Sequence, residues 1–77
     1  MNTIFKNQIE LALALRDIID KYYEYLIPEE KLKKYLQDVA YNNSDLLFKD
    51  GDYTSAVKLK LGVKRIRVLD RILGNVR

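Results

Sequence analysis

The chain has 77 residues, a formal net charge of +3 and 48% hydrophobic residues. That is room for one core, spanning residues 1–77 as a single domain, and too apolar for an ordinary disordered tail. It has no Cys, no His and no Trp, which excludes a disulfide framework, a thiolate zinc site, a Cys nucleophile and an imidazole base.

The longest apolar run, Leu11 to Leu15, is too short to span a bilayer,. Lys6 and Glu10 interrupt the N-terminus where a signal peptide would need an apolar stretch,. A cytoplasmic protein with no membrane contact is therefore expected. Ordering a chain of this size costs on the order of 100 kcal/mol in conformational entropy. With no covalent staple, helix packing or self-association must supply the margin.

The first predicted element is a helix over Thr3 to Leu26. Leu11, Leu15, Ile18, Tyr22 and Tyr25 recur at spacings of 4, 3, 4 and 3, the period of a helix face. Phe5, Ile9, Ala12, Ile19, Tyr23 and Leu26 widen that face. Asn2 or Thr3 is the expected cap, and Arg16–Asp20 and Asp17–Lys21 are expected i,i+4 pairs. At ~1.5 Å per residue this helix would run about 35 Å. A compact domain of this size is only about 30 Å across. Part of its apolar face would then stand uncovered and invite a two-fold partner, with Leu11, Leu15, Ile18, Tyr22 and Tyr25 as the oligomer interface of a homodimer; the competing reading is that the third and fourth helices cover the rest.

Pro28 opens a second helix, its missing N–H harmless in a first turn. Ile27 falls at the N-cap position, where its side chain accepts no hydrogen bond. Glu29 and Glu30 suit the helix N-terminus and are spaced to pair with Lys33 and Lys34. Leu32, Tyr35, Leu36, Val39 and Ala40 form the predicted buried stripe, ending near Asn42-Asn43,.

Ser44 to Phe48 reads as a short helical turn. Lys49-Asp50-Gly51-Asp52 reads as a tight turn in which Gly supplies positive φ. The same Asp residues, with Asp45, lack the ligand count of a calcium loop, so no metal site is expected. A third helix is predicted from Tyr53 to Leu61, capped by Asp52 or Thr54 and stopped by Gly62. A fourth is predicted from Val63 to Leu73, closed by Gly74, with the residues beyond it frayed.

The resulting fold class is all-α, a small bundle of three to four helices with a long N-terminal helix. The alternative is two helices followed by a C-terminal β-hairpin. Val57 to Leu61 and Arg65 to Val68 alternate apolar with charged, and Gly62-Val63 would make a turn between them. Ile66, Leu69 and Leu73 extend a helical stripe past the alternating part and favour the helical reading.

Charge is divided along the chain. Residues 1–52 hold seven Lys/Arg against ten Asp/Glu, a net of −3; residues 53–77 hold seven against one, a net of +6. The basic residues are Lys58, Lys60, Lys64, Arg65, Arg67, Arg71 and Arg77. Lys64, Arg67 and Arg71 would share one face of the last helix, opposite Ile66, Leu69 and Leu73. Such a row neutralises backbone phosphates and releases their counterions. Nucleic acid is accordingly the expected partner, with Lys58, Lys60, Lys64, Arg65, Arg67 and Arg71 as the binding residues. The competing reading is a basic face paired with the acidic helices of the same chain or a partner.

A helix-turn-helix centred on Gly62 fits poorly: Lys58 and Arg71 stand where small and apolar contacts are normal. Tyr53 is the only aromatic of the basic segment. Stacking of single-stranded bases is thus not indicated, and duplex or structured RNA is the expected form. With no Gly-rich phosphate loop, no Ser–His pair and little volume for a cleft, neither enzymatic activity, a cofactor nor a small-molecule substrate is expected. The alternative function is a protein-interaction module, such as a phage- or plasmid-encoded inhibitor or adaptor.

Two stretches carry a resemblance: Leu15-Arg16-Asp17-Ile18-Ile19-Asp20-Lys21-Tyr22, and Leu47-Phe48-Lys49 with Asp52-Tyr53-Thr54, Val57-Lys58 and Lys60-Leu61-Gly62-Val63-Lys64-Arg65. Together they resemble a small family of short uncharacterised proteins from Gram-positive bacteria, some labelled "uncharacterised ribosomal protein". The resemblance implies a bacterial, RNA-facing role and carries no activity or site.

Overall fold

The structure is a computed structural model and describes residues 2–74. Its elements are α1 (Gln8–Tyr23), α2 (Glu29–Asn42), α3 (Ser44–Leu47), β1 (Phe48–Lys49), β2 (Asp52–Tyr53) and α4 (Ser55–Leu73). The helical reading holds, and the hairpin over 57–68 does not form. Arg77 and the predicted fraying beyond Gly74 lie outside the described residues. No helix among the described residues is long and apolar enough to cross a membrane.

Helix α1 starts later than predicted. Asn7, not Asn2 or Thr3, is its cap: the Asn7 Oδ1 accepts from the Glu10 amide at 2.9 Å, and the Glu10 carboxylate accepts from the Lys6 amide at 2.8 Å. Asn7-Gln8-Ile9-Glu10 is thus a close relative of the capping box, a signal present in the sequence. The preceding segment runs extended across the end of α2 and is held there by Asn43. The Asn43 Oδ1 accepts from the Phe5 amide at 3.0 Å, and its Nδ2 donates to the carbonyls of Thr3 (2.6 Å) and Val39 (2.8 Å). Tyr35 donates its hydroxyl to the Asn2 carbonyl at 2.8 Å. Burial and the Asp17 charge raise the Tyr35 phenol above its ordinary range,.

With 16 residues, α1 is about 24 Å long and fits within a body of 32 × 24 × 22 Å,. Helix α1 therefore does not overhang the body. Helix α4 lies along α1 and covers it. Leu11, Leu15 and Ile18, expected at an oligomer interface, are buried in the chain's own core at 0%, 0% and 2% exposure. Tyr22 is half-buried and Tyr25 is 95% exposed. The predicted α2 stripe is buried at all five positions. Each fully buried Leu, Ile or Val of this core contributes about 1.5–3 kcal/mol.

Helix α2 is capped at Pro28 itself, one residue later than expected and with no side-chain hydrogen bond. The Asp50-Gly51 turn has φ of +54° and +80°, the signature of a type I′ hairpin turn. It closes a two-residue ladder in which Phe48 faces Tyr53 and Lys49 faces Asp52. Sequence reading found this turn and missed its short strands. Thr54 occupies the N-cap position of α4, but its hydroxyl donates to the Leu46 carbonyl at 2.8 Å and makes no cap bond.

Helix α4 breaks at Gly62 (φ 75°, ψ 171°), a conformation open to Gly alone. The break is one residue long, shorter than the three- to four-residue turn of a helix-turn-helix. After it the chain resumes helical form, with Leu69 and Leu73 in the core and Ile66 packed against it.

Candidate nucleic-acid interface

The residues after Gly62 place Lys64, Arg67 and Arg71 at i, i+3 and i+7, on one face. The six basic residues expected to bind nucleic acid divide into two groups. Lys58 is bonded to the Asp52 carboxylate at 2.8 Å. Arg65 grips Asp20 with a fork, Nε to Oδ1 at 2.8 Å and Nη2 to Oδ2 at 3.1 Å. Arg71 meets Glu29 at 2.8 Å, and its Nη2 donates to the Tyr22 hydroxyl at 3.4 Å. Lys60, Lys64 and Arg67 make no ion pair with any described residue. Of these, Lys64 and Arg67 are exposed and Lys60 is half-buried.

These long-range pairs within the chain stand in place of the local ones expected from spacing. Asp20 takes Arg65 and Glu29 takes Arg71, whereas Asp17–Lys21 forms as predicted at 3.2 Å. Glu29 is held by two groups at once, the Arg71 guanidinium and the Tyr22 hydroxyl, which donates to its Oε1 at 2.9 Å,. The Arg65 hydrogen bond holds the Asp20 carboxyl below the usual carboxylate range and holds the guanidinium charged. Hydrogen bonds from Tyr22 and Arg71 do the same for Glu29.

Two hollows meet at Tyr23. One, of about 310 Å³, is lined by Tyr23, Lys64, Arg67, Val68 and Arg71. The other, of about 340 Å³, is lined by Tyr22, Tyr23, Tyr25, Ile27, Pro28 and Glu29. The Arg71–Glu29 pair joins one wall to the other. Tyr23 donates its hydroxyl to the Lys64 carbonyl at 3.4 Å, and its ring centroid lies 6.0 Å from that of Tyr22. The cationic hollow carries Lys64, Arg67 and Arg71, and Arg71 is paired with Glu29.

Sequence reading kept the tyrosines apart from the basic segment. The fold brings Tyr23 against it, because α1 ends alongside the second half of α4. It also missed Tyr25 as a conformational feature. Tyr25 sits at φ +60°, where its amide donates to Tyr22 and that of Leu26 donates to Lys21 at 2.9 Å. This is a Schellman ending with Tyr in the place that Gly normally takes. No Gly or Asn near Leu26 signals it in the sequence.

No group of three or more acidic side chains able to hold a metal occurs among the described residues. The chain belongs to the CLB_0814 family of conserved hypothetical proteins, whose model matches residues 2–74. No curated protein and no solved structure matches it.

Proposed function

We propose that this member of the CLB_0814 family is a non-enzymatic nucleic-acid-binding protein that contacts phosphates through the second half of α4. One observation carries the reading: Lys64 and Arg67, exposed and without ion pairs to the described residues, line one open hollow together with Arg71. Ammonium and guanidinium groups left in water on a rigid helix are suited to phosphate oxygens, and their binding releases condensed counterions. Arg71 is held in place by Glu29 and Tyr22 and positions the wall of the hollow. The ribosomal label within the Gram-positive group that the sequence resembles points toward RNA.

Gel shift against salt concentration tests the proposal. Two to three phosphate contacts give a log–log slope of about −2 to −3 on duplex. Replacing Lys64 and Arg67 together by Glu abolishes the shift while leaving the helical circular dichroism intact. A shift that survives in this variant refutes the assignment.

A second reading, a protein-interaction module, draws support from the pairing of Lys58, Arg65 and Arg71 within the chain and from exposed Leu59 (80%) and Val63 (70%). A pull-down that recovers a protein and no nuclease-sensitive material would favour it.

A further inference from the structure

We infer that the strand bound at this surface is single-stranded, with a base lodged in the tyrosine hollow and its phosphates on Lys64 and Arg67. The inference rests on the nucleic-acid reading above and names the form of the ligand. A duplex hides the faces of its bases and asks only for cations. A single strand asks for an aromatic surface beside a cationic one, since every base has a π-face to stack and every link a phosphate to neutralise. The two hollows supply that pairing: they share Tyr23, one side lined by Tyr22, Tyr25, Pro28 and a Glu29 whose charge is answered by Arg71, the other by Lys64 and Arg67.

Tyr25 strengthens the assignment. A bulky side chain at φ +60° is strained in a position that Gly would fill without cost,. The same side chain is 95% exposed, so burial within the chain does not account for its presence. A ring held out at the rim of the tyrosine hollow is available to stack. The flanking charge selects the occupant: an apolar peptide would leave Lys64 and Arg67 unanswered, whereas a polyanion with aromatic bases answers both.

Fluorescence anisotropy on the full chain decides the matter, using labelled oligothymidine, oligouridine and a duplex, each of about 12 nucleotides or base pairs. Tighter binding to either single strand than to the duplex is expected; which of the two binds better identifies the sugar. Tyr25→Ala should weaken single-strand binding by about 5- to 100-fold and leave duplex binding unchanged. Tyr25→Phe, which keeps the π-face and removes the hydroxyl, should bind like the parent. Duplex bound as tightly as single strand, with Tyr25→Ala without effect, overturns the single-strand inference and leaves the phosphate-binding proposal standing. Binding to none of the three probes overturns both.

Discussion

Arg65 and Asp20 join the two longest helices at the point where α4 breaks. The guanidinium fork spans both carboxylate oxygens, and the remaining nitrogen, Nη1, donates to the Leu61 carbonyl at 3.0 Å. That carbonyl precedes Gly62, where the helical ladder is interrupted. One side chain therefore ties α1 to α4 and satisfies a carbonyl at the break. Arg65→Lys keeps the charge and loses the fork, so a loss of about 1 kcal/mol is expected in urea unfolding. Unchanged stability in Arg65→Lys would show that the fork has no energetic role.

The pH dependence follows from Asp20 and from Glu29, the carboxylate paired with Arg71. Asp20 and Glu29 have depressed folded pKa values, so the unfolded chain binds more protons than the folded one as they titrate,. Their contribution is present at neutral pH and is lost as pH falls below about 4 through the folded values. The stability gap between the parent and Asp20→Asn should shrink from about pH 7 to about pH 3. A gap of equal size at both values would contradict the linkage.

Gly62 is open space on its side-chain side: an added Cβ would meet nothing within 4 Å. Gly62→Ala thus isolates the backbone term, and a loss of about 1–3 kcal/mol is expected from forcing Ala into a Gly-only conformation. Thermal melts measure it. A higher melting temperature would mean that α4 straightens through the site, with α1 tolerating the new path.

Asn43 is 5% exposed and is fully engaged through its side chain. Asn43→Leu keeps the branched side-chain shape and strands the Phe5 amide and the Thr3 carbonyl. A loss of about 2–4 kcal/mol is expected, with residues 2–6 released first. Amide hydrogen exchange at Phe5 reads the second effect; unchanged protection there would show that Asn43 does not hold the segment.

Tyr25→Gly should raise stability by about 1 kcal/mol, because it removes left-handed strain from the α1 ending. The same substitution should weaken single-strand binding, as Tyr25→Ala does. A stability gain without loss of binding would separate the strained residue from the surface proposed for it.

Local physics was legible in the chain. The 3.6-residue period gave every position of the α2 stripe, the Asp-Gly pair gave a tight turn without its strands, and Gly62 gave the break in α4. Each depends on neighbours within a few residues. The start of α1 was legible too, in Asn7 and Glu10, but the apolar pattern drew the helix too long. Periodicity marks which side chains are apolar and does not mark where the backbone stops being helical.

The charge partition was also fixed by sequence: −3 in the first 52 residues, +6 in the last 25. What those charges meet was decided only by the fold. Arg65 finds Asp20 from 45 residues away, and Arg71 finds Glu29 across the bundle. Packing α4 along α1 brings Arg65 to Asp20, where its fork spans both carboxylate oxygens,. The same packing leaves Lys64 and Arg67 in water beside Tyr23. Spacing along a chain sets which side chains share a face; proximity between helices sets which of them are neutralised and which remain for a partner.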